Sequence, residues 1–302
     1  MDNLKNNRSR IVLTTVVAQL RFGAVLRNIK AILEGQNVGF IVLKGPHLSN
    51  TIYSNPIDRV YCDLDLLVRP KDFPFVIESL LSNGYRGPLE DPNRLATERA
   101  FYCWTMVSPE GVSVEIHRAI AGYGRFPVDI DGLIERAELF EIDKIKVHGL
   151  GPEDLLLHLC VHMLKGHFKF IEKKHIQDIA LLTKKRNVDW SIFLERVSNA
   201  KCSHGVYYAL LAAKEQFSGE IPVWVLERLI FRGLRKAWLD LHLNPSAFPI
   251  YKYPNHKTFE IQARLGLMLM DKCSDWVPFL WKYSGIRFHD ALMRRSVNAS
   301  KQ

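Results

Sequence analysis

The segment RVYCDLDLLVRP, from Arg59 to Pro70, places two aspartates two residues apart within an apolar run. Its composition predicts a short, buried β-strand over residues 62–68. Side chains at positions i and i+2 share one face of a strand, so Asp63 and Asp65 point the same way. Two carboxylates held this close repel each other unless protons, basic groups or cations lie between them. The pair therefore predicts a site for a divalent cation such as Mg²⁺, which prefers carboxylate oxygens and keeps positions for water and phosphate.

A third carboxylate lies on a later segment with the same pattern. In VSVEIHRAI, residues 112–120, the side chains of Ser113, Glu115 and His117 share one face of a predicted strand. If this strand neighbours the one that carries the two aspartates, the three acids converge. A solvated strand face with alternating acids is the plainer alternative, and the spacing alone leaves both open.

The composition is that of a globular protein. The chain has 302 residues, 47% hydrophobic and 24% charged, which is enough for one large or two ordinary domains. No apolar run approaches the roughly 20 residues of a bilayer span, and the segment MDNLKNNRSR lacks the apolar core of a secretory signal. The five cysteines show no paired spacing, so reduced thiols are expected rather than disulfides or a zinc–thiolate site. We expect a cytoplasmic protein without a membrane span.

The net charge of +9 is placed unevenly along the chain. Residues 1–150 hold 18 Lys and Arg against 18 Asp and Glu, whereas residues 151–302 hold 23 against 14. A basic half indicates a polyanionic partner such as RNA or an acidic membrane surface. Basic residues that simply solvate helix faces would give the same count.

The order of predicted elements divides the chain near residue 150. The first part, 1–150, alternates helices and strands: a helix over 10–34, strands in GFIVLKG and CDLDLLV, a helix ending at Gly84, a hairpin of AFYCWTMVS and VSVEIHRAI, and one further strand in LFEIDKIKVHGL. The second part, 151–302, shows helical periodicity over 153–165, 172–185, 189–199, 204–218, 222–236 and 257–272. The pattern predicts an α/β (α+β) fold, in which a mixed-sheet core precedes a helical domain.

The motifs of the first half occur in a recognisable order. A glycine turn in LKG (43–45) is followed by Arg59, by DLDLLV and by VEIH (114–117). This order resembles the DNA polymerase β-like nucleotidyltransferases. Together with EDLLLHLCVHMLKGHFKFIEKKHIQDIALL (153–182), it looks like the bacterial family of uncharacterised nucleotidyltransferases, over about residues 38–183.

The resemblance implies a reaction and a set of ligands. Asp63 and Asp65 would hold two Mg²⁺ or Mn²⁺ ions, Glu115 would join them at the catalytic metal, and an NTP would be the co-substrate. Paired ions stabilise the attacking and the leaving oxygens of an in-line displacement at phosphorus. Glu115, or a metal-bound hydroxide near it, would help to deprotonate the acceptor hydroxyl.

Phosphate binding is expected to depart from the superfamily. Its members usually carry a serine directly after the glycine, whereas Pro46 follows Gly45 here and offers neither a hydroxyl nor an amide hydrogen. We expect Lys44 to supply charge, the start of the next helix to supply free amides, and Ser49 to lie one turn later. Arg59 is a candidate for a second phosphate contact or for a partner of the first aspartate. Alternatively, the two cations only neutralise the acidic cluster.

Histidines mark the start of the second half. His158 and His162 are four residues apart on one predicted helix face, which raises the question of a metal-dependent hydrolase. The HExxH motif of zinc hydrolases is absent, because Leu159 follows His158. Hydrogen-bonded packing residues are the plainer interpretation.

The resemblance gives the histidine segment a third role, because it implies that this helix lines the catalytic cleft. His117, His162 and Asp178 would then contact the substrate or support the residues that do. Lys165, with nearby lysines, would meet an anionic acceptor, and RNA is one such acceptor.

The sequence thus predicts a metal-dependent nucleotidyltransferase, in which NMP moves from an NTP to a hydroxyl of an RNA, small-molecule or protein acceptor. The alternative is a non-catalytic protein on the same fold that binds nucleotide or metal. The acceptor and the nucleobase stay open.

Overall fold

Six strands form one mixed sheet. The computed structural model describes residues 2–87, 102–120, 126–165, 171–250, 259–272 and 276, without the side chains of 2–16, 165 and 259–263. The strands are β1 (Phe40–Val42), β2 (Asp63–Val68), β3 (Cys103–Val107), β4 (Ser113–His117), β5 (Glu138–Ile142) and β6 (Ile145–Gly149). Their order across the sheet is β3-β4-β2-β1-β6-β5. Strands β2 and β4 run parallel, as do β1 and β6, and the other neighbouring pairs are antiparallel.

Helices surround the sheet and fill the second half of the chain. Within the described residues they are α1 (Asp2–Glu34), α2 (Lys44–Thr51), α3 (Phe73–Ser82), α4 (Ile130–Glu135), α5 (Pro152–Lys165), α6 (Lys173–Lys185), α7 (Trp190–Asn199), α8 (Ser203–Phe217), α9 (Val223–Leu229), α10 (Leu234–His242) and α11 (Phe259–Met268). A 3₁₀ turn covers Pro56–Asp58. In this part of the chain, no helix combines the length and the apolar character needed to cross a membrane. The mixed-sheet α/β (α+β) fold class predicted from the sequence is confirmed.

The two faces of the sheet differ because apolar and polar residues alternate along β2. Leu64, Leu66 and Val68 face one side, where α1 and α3 cover them in a continuous apolar cluster. Asp63 and Asp65 face the other side, as the period of two in a strand requires. The acids therefore lie on the face opposite the apolar layer that α1 and α3 form.

The second apolar cluster joins the acid-bearing side of the sheet to the helices. Ile41, Leu43 and Leu67 belong to the same cluster of buried residues as the apolar stripes of α5–α8. The sheet and the helices that follow it thus share a core. The division of the chain at residue 150 stays a prediction.

Two sequence predictions about elements were wrong. Residues 139–150 were expected to form one strand, but they form the β5–β6 hairpin, whose turn residues Asp143 and Lys144 have φ of 48° and 64°. A two-residue turn with both φ values positive matches the right-handed twist of the flanking strands. The single helix expected over 222–236 is two helices, α9 and α10, because Gly233 at φ 92° interrupts it.

A buried ion pair ties α6 to the loop that precedes β2. The Arg59 guanidinium donates to both carboxylate oxygens of Asp178, with Nε to Oδ1 at 2.9 Å and Nη2 to Oδ2 at 2.8 Å. The hydroxyl of Tyr53 donates to Asp178 Oδ1 at 2.7 Å. Asp178 is 0% exposed, and within the described residues its charge is balanced by Arg59, while Tyr53 adds a neutral hydrogen bond.

This ion pair generates a stability prediction. Asp178→Asn should lower the free energy of unfolding by about 3 kcal/mol, because it leaves the buried Arg59 without a counter-charge. Tyr53→Phe should cost only about 1 kcal/mol, since it removes one hydrogen bond. Urea denaturation followed by circular dichroism measures both changes.

The matched control for this prediction is the surface pair formed by Arg69 and Asp131, in which the Asp131 side chain is 63% exposed. Asp131→Asn should change the unfolding free energy by less than about 1 kcal/mol. If the Asp178 and Asp131 variants lost equal stability, the buried pair would not be a tie between α6 and the sheet.

Candidate active site

The three predicted acids lie together on one face of the sheet. Strands β2 and β4 are hydrogen-bonded neighbours, and their parallel register sets Asp65 opposite Glu115 and Asp63 opposite Ser113. Neighbouring strands are about 4.8 Å apart, so side chains on the same face are in reach of one another. The convergence that the sequence left conditional is present in the fold.

Asp65 lies at the centre of this cluster and is bound by two cationic groups. Its Oδ1 accepts from Lys44 Nζ at 2.7 Å and contacts His117 Nε2 at 2.8 Å. Asp65 is only 1% exposed. Burial alone would raise the pKa of Asp65, but the hydrogen bonds and charges of His117 and Lys44 outweigh it and hold that pKa below its ordinary value. Asp65 is therefore a carboxylate.

His117 joins the two strands electrostatically. Its Nε2 lies 2.8 Å from Asp65 Oδ1 and 3.2 Å from Glu115 Oε2. Burial opposes protonation of the ring, yet the hydrogen bonds to the two carboxylates raise the pKa of His117 above its ordinary value. The bond from His117 likewise lowers the pKa of Glu115. The two carboxylates thus favour the protonated form of His117, which lies between them.

Asp63 is the acid that this arrangement leaves uncompensated. In the described part of the chain, no basic side chain lies within ion-pair distance of Asp63. Its burial, followed by the charges of Asp65 and Glu115, raises the pKa of Asp63. Two cations, Lys44 and His117, face three carboxylates, so the cluster carries one excess negative charge. An additional cation would relieve it, and the hard oxygen donors present suit Mg²⁺ or Mn²⁺.

A softer set of donor atoms overlaps the acid cluster. Among the described residues, one donor atom from each of Cys103, Glu115 and His117 lies within 4.8 Å of the others. Thiol and imidazole groups suit transition metals rather than Mg²⁺. Among the described residues, no such group includes His158 or His162.

The glycine turn before α2 brings Lys44 to the acids. Lys44 has φ of 44°, an uncommon conformation for a residue with a side chain. A Cβ on Gly45 would lie 2.5 Å from Tyr61 Cβ and 2.8 Å from Tyr61 Cγ, so only glycine allows this approach. The close contact fixes the start of α2 against the segment that leads into β2.

Several predicted site residues are turned away from the acids. Arg59 faces Asp178, and its Nη1 donates to the Val60 carbonyl at 2.8 Å, so its contacts are with the fold rather than with Asp63. Asp178 is buried in that same ion pair. Ser49 is fully buried and donates to the Pro46 carbonyl at 3.0 Å.

The helix residues of the prediction form a line along α5 and α6. The His162 ring lies 6.3 Å from that of His158 and 5.3 Å from that of His175, measured between ring centroids. Burial is the largest cause of the low pKa of His162, followed by the positive charge of Lys44. The side chain of Lys165 lies outside the described residues.

Two residues of this region escaped the sequence analysis. Cys103 lies opposite His117 in the β3–β4 hairpin. The pairing could have been predicted by aligning the two strands on either side of the PEG turn. Tyr53 donates a hydrogen bond to Asp178, which follows it by 125 residues in the sequence, and no local sequence pattern predicts that contact.

The comparison with family models places the chain. The model of the family described as uncharacterised nucleotidyltransferase matches residues 3–218. The chain therefore belongs to the uncharacterised nucleotidyltransferases, and the resemblance drawn from its motifs is confirmed. No curated protein matches it.

Solved structures of nucleotidyltransferases resemble the chain distantly. The solution structure of the antibiotic-resistance factor ANT(2'')-Ia is 16% identical, with coverage of 62% of this chain and 93% of its own and a TM-score of 0.40. The lincomycin-bound lincosamide antibiotic adenylyltransferase LnuA is 15% identical, with coverage of 53% and 96% and a TM-score of 0.35. An antigenic nucleotidyltransferase-like protein from Paracoccidioides brasiliensis is 14% identical, with coverage of 72% and 92% and a TM-score of 0.36. Likeness at this level does not extend to substrate.

The glycine turn generates a prediction about stability. Gly45→Ala should destabilise the fold by about 2 kcal/mol, because the new Cβ overlaps the rigid base of the Tyr61 side chain. Gly39→Ala is the matched control, since a Cβ at Gly39 meets nothing within 4 Å and should change stability by less than about 0.5 kcal/mol. Thermal unfolding of both variants tests the contact, and equal melting temperatures would contradict it.

Proposed function

We propose that the protein transfers a nucleoside monophosphate from an NTP to a hydroxyl group of an acceptor, with release of pyrophosphate. Family membership supports the general class of reaction. The observation that carries the proposal is the convergence of Asp63, Asp65 and Glu115 on one face of β2 and β4, with one more carboxylate than the neighbouring cations balance.

The acids would hold divalent metal. Asp63, with its raised pKa and no ion-pair partner among the described residues, would gain most from it. Mg²⁺ or Mn²⁺ ions bound to Asp63, Asp65 and Glu115 would supply the positive charge that an in-line displacement at the α-phosphorus requires. The NTP is the co-substrate, and the nucleobase is open.

The chain's own groups would guide the proton and the phosphates. The acceptor oxygen forms a bond to the α-phosphorus while the bond from that phosphorus to the β-bridging oxygen breaks, and the hydroxyl proton leaves toward a carboxylate oxygen of Glu115. Lys44 Nζ, bound to Asp65 in the structure, would move to the triphosphate as metal takes over the neutralisation of Asp65. His117 would keep Asp65 and Glu115 in place.

A non-catalytic binding protein is the second candidate. It is favoured by the contacts of Asp65 Oδ1 with both Lys44 and His117, which stabilise the cluster without a metal. It is also favoured by Pro46, which stands where the wider superfamily usually carries a serine. Such a protein would bind NTP or metal but would not catalyse nucleotidyl transfer.

The activity prediction separates the two candidates. Purified protein is incubated with each α-labelled NTP and Mg²⁺, together with separated RNA, protein and small-molecule fractions of a cell extract. We expect label in one fraction, and at least a roughly 100-fold loss with Asp63→Asn or Asp65→Asn, because each substitution removes charge that holds the metals. Asp58→Asn is the matched control, since Asp58 is exposed on the 3₁₀ turn of the same segment. NTP binding without label in any fraction would favour the binding protein.

Metal binding is predicted independently of turnover. Addition of 5 mM MgCl₂ or MnCl₂ (about 10 to 100 times a submillimolar dissociation constant) should stabilise the wild type by about 1–3 kcal/mol, seen as a higher melting temperature. Asp63→Asn should abolish the shift because it removes the acid that lacks a counter-charge. An unchanged wild-type melting temperature would contradict a metal site at these acids.

A further inference from the structure

A sulfur, a nitrogen and an oxygen donor meet beside the acid cluster. Among the described residues, one donor atom from each of Cys103, Glu115 and His117 lies within 4.8 Å of the other two. The Nε2 atom of His117 lies 3.2 Å from Oε2 of Glu115. Tetrahedral zinc sites hold their ligand atoms about 2.0–2.3 Å from the metal, which sets neighbouring ligand atoms about 3.3–3.8 Å apart. The three side chains therefore need shifts of only about an ångström to surround one ion.

The register of the β3–β4 hairpin builds this arrangement. Cys103 lies opposite His117. The Arg118 amide donates to the Tyr102 carbonyl at 2.9 Å, so residues 102 and 118 form a hydrogen-bonded pair. Because the two kinds of pair alternate along an antiparallel hairpin, Cys103 and His117 form the kind whose side chains are closer. Glu115 lies two residues before His117 and so shares its face of the sheet. The backbone pairing thus holds the three donors together.

Two of the three donors are open to solvent. Cys103 is partly exposed, and the Glu115 side chain is 24% exposed. The His117 side chain is only 3% exposed, and its contacts with Asp65 and Glu115 hold the ring in place. An ion can therefore reach the site from solvent, where it meets one fixed ligand and two accessible ones.

We propose that Cys103, Glu115 and His117 bind Zn²⁺ and that the bound ion inhibits the nucleotidyl transfer. A thiolate, an imidazole and a carboxylate are ligands that zinc takes in proteins, whereas Mg²⁺ is bound by oxygen atoms and water. Three protein ligands leave the fourth tetrahedral position for water. Binding releases the thiol proton, and any proton on the ligating nitrogen, to solvent. The zinc site rests on the donor atoms alone, and the inhibition rests on the proposed function.

Zinc at this point would withdraw Glu115 from the proposed reaction. The carboxylate would otherwise hold Mg²⁺ and receive the proton of the acceptor hydroxyl. His117 Nε2 lies 2.8 Å from Asp65 Oδ1, so zinc on the ring would also disturb the contact that positions Asp65. The two kinds of metal thus compete for the same residues. Of the three zinc ligands, only Cys103 has no role in the proposed transfer, so it is the residue to change.

Binding is tested with Co²⁺, which takes the place of zinc in such sites and absorbs light. The full chain, freed of metal with a chelator, is titrated with CoCl₂, and the thiolate-to-cobalt charge-transfer band is recorded in the near ultraviolet. Cys103→Ser keeps the size of the side chain and removes the sulfur. Cys62→Ser is the matched control, because Cys62 is an exposed thiol directly before β2. Melting temperatures of all three proteins are recorded without metal.

The expected result is a cobalt band that depends on one thiol. The wild type and Cys62→Ser should show the band, which saturates at one ion per chain, and Cys103→Ser should lose it. Addition of ZnCl₂ should abolish the band because zinc displaces cobalt, whereas an excess of MgCl₂ should leave it unchanged because Mg²⁺ does not take the thiolate.

Inhibition is tested by transfer from α-labelled NTP, with Mg²⁺, to the extract fraction that the wild type labels. Transfer is measured over a series of ZnCl₂ concentrations, and each protein is compared with its own zinc-free rate. Loss of a direct ligand should weaken zinc binding at least as much as loss of an outer-shell partner, about 10- to 100-fold. The zinc concentration that halves transfer should therefore rise by at least that factor in Cys103→Ser and stay near the wild-type value in Cys62→Ser.

Three results would overturn the inference. They are a wild type without the cobalt band, a Cys103→Ser variant that retains the band, or equal zinc inhibition of the wild type and Cys103→Ser. A wild type that shows the band but labels no fraction without zinc would instead refute the proposed function, and with it the inhibition, while the zinc site would stand. The two failures are distinguishable because the absorption of bound cobalt needs no turnover.

Discussion

The ion pair between Arg59 and Asp178 is the constraint on which the relation of sheet and helices depends. It joins the loop before β2 to α6 with two parallel hydrogen bonds, and Tyr53 adds a third contact to the same carboxylate. A charge that is buried this completely is tolerated only where its partner is held in place. Any arrangement that moved α6 away from the sheet would leave Arg59 and Asp178 each as a buried charge without a partner. The pair thus fixes where the histidine-bearing helices lie relative to the acids.

Charge balance explains why the acid face of the sheet is stable at all. Lys44 reaches Asp65 from a strained glycine turn, and His117 bridges Asp65 and Glu115 from the neighbouring strand. Asp63 keeps an unbalanced charge. The fold therefore holds its acids in a cluster that additional positive charge would stabilise. On the helical side, His158 and His162 have lowered pKa values, mainly because they are buried and then because of the positive charge of Lys44.

The alternation of residues along each strand made the acids and the face they share predictable. Their contacts with residues far away in the sequence could not be predicted from local patterns. The period of two in DLDLLV and VSVEIH separates acids from core residues without any knowledge of the fold. The parallel pairing of β2 and β4 is a tertiary fact, and so is the contact of Arg59 with a residue 119 positions away. The β5–β6 hairpin was missed because its turn, Asp143 and Lys144, lacks the glycine or asparagine that usually marks such turns. Gly233 was also missed, since the helix predicted over 222–236 runs through it, although a glycine at this place could have indicated the break between α9 and α10.

Because apolar and acidic residues alternate strictly along β2, the register that forms the core of the sheet is also the register that forms the acid cluster. A slip of one residue in the pairing of β2 would turn Asp63 and Asp65 into the apolar layer of α1 and α3 and bring Leu64 and Leu66 into the cleft. Such a misregistered sheet would lose its core and its acids together. A molecule that forms the stable sheet therefore also assembles the acid cluster. A folded form with the wrong register would not be stable, because it would lack the apolar core.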